Sequence, residues 1–388
     1  MSTQNPNIQA IVDRVFDNLS QYNTPESITP SVVAGAIGLA VQNLYSPQDL
    51  FMGNNGVTSL DLTNYVNLER LYAKDNPFVS LDFSNAVALK VLHLSSCELN
   101  TGLDLSNQPN LEEIDLSSFS DFTNGYSLDL SSNTALKNVV LDTILINSLN
   151  LTNCTVIDKL ELYSINGLTD LDLTSQTVLK TLNLANIPTL NNLDISNCTD
   201  LEKLNITGVT LNTFNITPFN QLVDLSLIST NLTNFDPSPC ASLKTLDLSS
   251  NSIPNLDFSQ NTNLETIILN ANPLDGTNLN SNTVKTISLF ATGLTSLDLS
   301  GLPSLEALDA RNLNLSGNLI DISNCPNLKS LNFTATVIDS AQHTANLEIL
   351  DTNGLTNGIY TYKGFSFPSS AFKTSLEAKG WVIQSGGF

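Results

Sequence analysis

The sequence predicts a parallel β-solenoid whose coils run to about 21 residues and carry two short strands each. Three observations predict it. First, the phrase Thr-Ser-Leu-Asp-Leu-Thr at 58–63 recurs along the chain, centred on Asp61, Asp82, Asp104, Asp129, Asn150, Asp172, Asp194, Asn215, Asp236, Asp257, Asn278, Asp298 and Asp321, at steps of 20 to 25 residues. Second, another phrase of the type Leu-Lys-Thr-Leu-Asp-Leu (243–248) sits between each pair, opening at Leu68 and last seen as Leu-Glu-Ile-Leu-Asp-Thr (347–352). Third, leucines alternate with polar residues in both phrases, the period of a strand with one buried face. A single coil has nothing to bury its leucines against, whereas stacked coils form a continuous core. Two parallel sheets flanking that core are the expectation.

Composition narrows the function. The 388 residues are 41% hydrophobic and only 13% charged, with a net charge of −22. That charge disfavours nucleic acid and anionic membranes. The longest apolar run lies within Val32–Leu44, too short to span a bilayer. The first residues lack the positive region of a secretory signal, so none is expected. No P-loop, GxGxxG, HExxH or CxxC motif occurs, and the two histidines, His93 and His343, lie far apart in the array. No catalytic set assembles, and the expectation is a protein that is not an enzyme.

The two phrases resemble leucine-rich repeats, with their LxxLxLxxN/C pattern, and in particular the LTSLDLS variety of Bacteroidetes surface proteins. The resemblance covers about residues 57–355 and implies the leucine-rich-repeat fold, without naming a ligand.

Three ladders follow from stacking. Cys154, Cys198, Cys240 and Cys325 share the slot after the first phrase that Asn133, Asn261 and Asn282 fill elsewhere. Cysteines two or four coils apart, about 10 Å or more, are too distant for disulfides. They read as small buried hydrophobes. The second ladder is electrostatic: Glu69, Lys90, Glu112, Lys137, Asp158, Lys180, Glu202, Val223, Lys244, Glu265, Lys285, Glu306, Lys329 and Glu348 alternate in sign except at Val223. Opposite charges on adjacent strands attract, and a coil slipped by one repeat would set like against like. The third ladder is the Asp/Asn series with its Ser/Thr neighbours. Those groups satisfy backbone at strand ends, or take Ca²⁺ at Asp172, Asp194, Asp236 and Asp257, or form a flat ice-like or glycan-binding face. Mutual repulsion is expected to raise some of their pKa values. Apart from that Ca²⁺, no cofactor is expected.

The outward positions of the second phrase vary, and variation is where specificity resides. Arg70, Tyr72 and His93 cluster early, Tyr163 lies midway, and Ile228, Ile268, Asn270 and Phe290 come late. These eight are the expected binding residues.

Residues 1–50 are expected to form a helical attachment or oligomerisation module and N-cap, 51–357 the solenoid, and 358–388 a mixed α/β C-terminal cap. After Thr29-Pro30, an N-cap and first helical residue, Val32, Val33, Ile37, Leu39, Val41 and Leu44 place apolar side chains on every helix face. Such a helix needs a partner, either a second copy, a trimer most naturally, or a larger protein. The segment resembles docking segments of tail-fibre and capsid-appendage proteins from Bacteroidetes phages. That resemblance implies a virion appendage presenting a repeat rod to a host surface protein or glycan, with residues 1–50 on other virion proteins. The alternative is a bacterial cell-surface or secreted adhesin. In the cap, 358–383 reads as a hairpin, a helix begun at Pro368-Ser369 and a final strand with Trp381.

Overall fold

The computed structural model describes residues 48–97, 99, 102–119, 126–211, 214–275, 277, 279–315, 320–338, 340–352, 355–363 and 370–385. The expected attachment residues Val32, Val33, Ile37, Leu39, Val41 and Leu44 lie outside these. The chain divides into two compact units, Met1–Cys198 and Thr199–Phe388.

The first unit holds β1 (Asp49–Phe51), β2 (Arg70–Tyr72), β3 (Val91–Ser95), β4 (Glu113–Phe119), β5 (Tyr126–Asp129), β6 (Asn138–Ile144), β7 (Ile146–Asn150), β8 (Lys159–Tyr163), β9 (Asp170–Asp172), β10 (Thr181–Ala185) and β11 (Asn192–Asp194). The second holds β12 (Lys203–Thr207), β13 (Asp224–Ile228), β14 (Thr245–Asp247), β15 (Thr266–Ile268), β16 (Thr286–Ser288), β17 (Ala307–Asp309), β18 (Ser330–Thr334), α1 (Ser340–Thr352), β19 (Ile359–Lys363), α2 (Ser370–Ala378) and β20 (Val382–Ser385). The second phrase builds the main ladder, parallel throughout: β1-β2-β3-β4-β6-β8-β10 in the first unit and β12 to β20 in order in the second. Its strands alternate half-exposed and buried residues, and Leu71, Leu92, Leu160, Leu182, Leu246 and Leu331 are fully buried. The solenoid predicted from the repeats is therefore the fold, with β1 straddling the expected boundary at residue 50.

The second sheet is reduced from the expectation. Among the described residues, the first phrase pairs as strands only at β5–β7 and β9–β11. Elsewhere it is extended and spends its backbone within its own coil. Tyr65 N–H reaches Leu62 C=O, Asn133 reaches Leu130 and Cys325 reaches Ile322. An N–H used in that turn is not available to the neighbouring coil.

The turn slot beneath is the buried ladder predicted. Cys154, Cys198, Cys240 and Cys325 are free and buried. Cys154 Sγ donates to Leu130 C=O at 3.0 Å and Cys240 Sγ to Phe219 C=O at 3.0 Å. Asn133 and Asn261 donate to equivalent carbonyls, and so do Gln108 and Gln176, which the cysteine and asparagine pattern missed. The carbonyl oxygens of these four amides accept no protein hydrogen bond. A buried unmet acceptor costs on the order of 1–3 kcal/mol, which explains why a thiol serves as well as an amide there.

The charge ladder also forms. Lys90 meets Glu69 at 2.9 Å, Lys137 meets Glu112 at 2.6 Å, Lys285 meets Glu265 at 2.6 Å and Lys329 meets Glu306 at 2.6 Å.

One expectation about the C-terminus fails. Leu-Glu-Ile-Leu-Asp-Thr (347–352) is helical, in α1, rather than a fourteenth strand. His343, Asn346, Leu347 and Leu350 are buried, a spacing of three, one and three that is one face of a helix. Glu348 therefore leaves the charge ladder. The second arm of the expected hairpin lies outside the described residues; β19 pairs in parallel with both β18 and β20, and α2 belongs to the connection from β19 to β20. Trp381 fills the cap, its indole N–H on Leu355 C=O at 2.9 Å. Gly358 makes room, since a Cβ there would lie 2.4 Å from the Trp381 ring.

Candidate binding face

The main sheet satisfies its backbone strand to strand, so many of its outward side chains, Tyr72 and His93 among them, are not needed to satisfy it. In the first unit, cross-strand register sets Phe51 beside Tyr72 and Tyr72 beside His93. The rings of Phe51 and Tyr72 stack at 4.9 Å and 7°, and His93 meets Tyr72 edge-on at 4.7 Å. His93 Nε2 lies 2.7 Å from a Glu113 carboxylate oxygen. Alongside, Arg70 grips Asp49 through two nitrogens at 2.6 and 2.8 Å. Each such aromatic pair adds about 0.5–1.5 kcal/mol. Phe51 is nevertheless 69% exposed.

The structure thus brings together three expected residues, Arg70, Tyr72 and His93, and adds Phe51, Asp49 and Glu113. Asp-Leu-Phe (49–51) stands one 21-residue period before Arg-Leu-Tyr (70–72), and that spacing was the signal that would have found Phe51. Tyr163 lies on β8, apart from this cluster. Its hydroxyl donates to Glu161 at 3.1 Å, while Lys159 at 2.7 Å and Asn183 at 2.7 Å hold the same carboxylate. Burial and the Glu161 charge push the Tyr163 phenol up to about 12.

In the second unit, Asn270 Oδ1 accepts from the Ser288 hydroxyl at 2.7 Å and the Phe290 N–H at 2.8 Å. The Arg311 guanidinium lies 5.0 Å over the Phe290 ring and forks onto Asp309 at 2.7 Å. Ile268 occupies the row beside this group, partnered with Ser288 and Asp247. Ile228 is on β13, two strands before β15, and does not join it. Arg311 and Asp309 were missed because their phrase, Leu-Glu-Ala-Leu-Asp-Ala (305–310), looks like ordinary repeat.

The proposed calcium residues behave differently. Oδ1 of Asp172, Asp194, Asp236 and Asp257 accepts the N–H two residues on, at 2.9–3.0 Å. Those N–H groups and the adjoining Ser or Thr hydroxyls hold the Asp172, Asp194 and Asp257 carboxyls below the ordinary range. The expected rise from mutual repulsion is overturned: the nearby Asp194 charge acts on Asp172, and the hydrogen bonds outweigh it. Among the described residues no three His, Cys, Asp or Glu side chains gather as a metal ion requires, and no helix is long and apolar enough to cross a membrane.

Comparison with solved structures decides the class of the fold. The functional domain of InlJ from Listeria monocytogenes, described by its cysteine ladder, superposes with a TM-score of 0.57 at 18% identity, over 84% of this chain and 75% of that one. This chain has the leucine-rich-repeat fold. A leucine-rich-repeat protein of Leptospira interrogans matches with a TM-score of 0.51 at 18% identity, over 80% of this chain and 96% of its own. YopM from Yersinia enterocolitica matches with a TM-score of 0.53 at 17% identity, over 87% and 84%. No protein-family model matches the chain, and no curated protein does.

Proposed function

We propose that this leucine-rich-repeat chain is a non-catalytic binding protein whose main-sheet face engages a host surface protein or glycan, and that it is carried on a phage virion by residues 1–50. The observation that carries the binding role is the stacked row Phe51–Tyr72–His93, exposed at Phe51, half-buried at the other two and closed by Glu113. Aromatic side chains with charged neighbours are the usual anchors of recognition. The Asn270–Phe290–Arg311 group offers the same chemistry in the second unit. The apolar positions from Val32 to Leu44 support docking by the N-terminal segment, since a sequence apolar on every face of a helix calls for a partner.

Binding of labelled protein to Bacteroidetes cell envelopes tests the first part. Changing Phe51, Tyr72 and His93 to Ser is expected to weaken binding at least tenfold, with the melting temperature lowered by only a few degrees through the two lost ring pairs. Equal binding by the triple variant removes the sheet face from the reading. Immunogold labelling tests the second part: label on particles supports the virion role, and label on the bacterial surface replaces it with the adhesin.

A further inference from the structure

The turn side of the first unit carries one irregularity that the sheet face does not explain. The step from Asp104 to Asp129, 25 residues, is the longest in the series, and Tyr126 enters the turn there. β5 pairs with β7 on one side, with a register shift at Tyr126/Ser127. Toward the preceding coil, where the first phrase forms no strand, the phenol bonds the backbone instead. The Leu103 N–H donates to the Tyr126 hydroxyl at 3.0 Å, and that hydroxyl donates to the Leu103 carbonyl at 2.5 Å. A ring thus stands where two backbones would otherwise approach to about 4.8 Å. Gly102, at φ +80°, leaves space for it; a Cβ there would lie 2.6 Å from Tyr126 Cε2.

The wedge opens a cleft of about 310 Å³, lined by Asp82, Ser84, Gly102, Asp104, Asn107 and Tyr126 among others. Asp82 and Asp104 come from adjacent coils, and no Lys, Arg or His lines the space. Each carboxylate gives Oδ1 to its own turn, at 2.9 Å to the Ser84 and Ser106 N–H groups. We propose that this cleft receives the cationic end of a Lys or Arg side chain from a basic protein segment. The volume exceeds what a bare ion needs, and a third metal ligand is missing among the described residues. Two carboxylates with an amide and an aromatic rim complement a long side chain with a charged, hydrogen-bonding head. Anionic partners are repelled.

The test must separate this cleft from the attraction that a net charge of −22 exerts on any cation. The probe is a fluorescein-labelled pentapeptide, Gly-Gly-Arg-Gly-Gly, titrated into the full chain with anisotropy read-out. The double variant Asp82→Asn, Asp104→Asn keeps the turns, because Asn150 and Asn215 already accept the same N–H at 3.1 and 3.0 Å. It is expected to weaken binding at least fivefold. The control Asp298→Asn, Asp321→Asn removes the same charge from the same kind of turn in the second unit and is expected to change binding less than twofold. Asn107→Asp is expected to tighten it. Equal weakening by both double variants, lack of saturation, or salt-independent binding competed by a neutral disaccharide would overturn the proposal, the last in favour of a sugar site.

Discussion

Each coil shows two outward surfaces, and they spend their side chains differently. On the turn surface the Asp of the first phrase is committed: Asp61, Asp104, Asp172, Asp257 and Asp321 each take the N–H two residues on, at 2.9–3.0 Å. On the sheet surface the backbone is satisfied by the next coil. Lys90 and Val91 N–H both reach Glu69 C=O, for example, and the side chains at Tyr72, His93 and Phe290 are released. Uniformity marks the surface where nearly every coil needs the same side chain to hold its turn; variety marks the sheet surface, where only some side chains, such as Asp247, Asn270 and Asn332, accept a backbone N–H. Repetition in a solenoid is thus a guide to structure, and departure from it a guide to recognition.

The largest expected effect tests what both surfaces share. Leu182, fully buried, stands behind both of them; Leu182→Ala is expected to cost about 3 kcal/mol in urea unfolding. A cost below about 1 kcal/mol would mean that the coils are held by their surfaces instead.

Acid breaks the comparison next. The carboxyls of Asp61, Asp104, Asp129, Asp172 and Asp321 sit below the ordinary range through hydrogen bonds from Ser or Thr. A depressed folded-state pKa contributes stability above the unfolded value of about 4, and that contribution is lost as pH falls below it. The melting temperature is expected to drop by several degrees between pH of about 6 and about 3. Asp61→Asn, Asp104→Asn and Asp129→Asn together are expected to shrink that drop, and an undiminished drop would transfer the acid sensitivity to the sheet-side carboxylates.

A smaller effect lies at the corner where sheet becomes turn. Ser96, Ser118, Thr143, Ser164, Ala271, Ala291 and Ala335 all have φ between 51° and 58°. Such a backbone is costly for residues with a Cβ. Ala291→Gly is expected to raise stability by about 0.5 kcal/mol, the relief being partly offset by the unfolded-state freedom of glycine. The smallest expected effect is zero: reducing agent leaves the melting temperature unchanged, because all five cysteines are free. A fall of several degrees would reveal a disulfide between chains.

Much of this was legible because a solenoid makes long-range contacts out of local periodicity. A residue's neighbour in space is the residue about 21 positions away. The buried leucines, the cysteine slot and the Lys–Glu ladder could be read by that offset alone. Phe51 was legible by the same rule, and was missed because the second phrase was first read at Leu68, one period later.

Where two periodicities fit one stretch, the offset did not decide. The leucines of 347–352 suit a strand or a helix, and His343 and Asn346, buried on the same face, tip them to a helix. Nor could it tell which phrase pairs as a sheet, since both alternate; that depends on which N–H groups the turns consume. Many left-handed corners are filled by Ser, Ala and Thr, which carry no signal for that conformation, whereas Asn54, Asp75, Asn186, Gly208 and Asn312 at equivalent corners do carry one.

The sequence by itself determined the coil, its core and its register, because leucine burial and charge alternation repeat with the chain. Only the tertiary structure decided which side chains are already spoken for. That depends on the direction of each backbone donor and on close approaches such as Tyr126 over Gly102, where one ring's position creates a cleft that no repeat pattern contains.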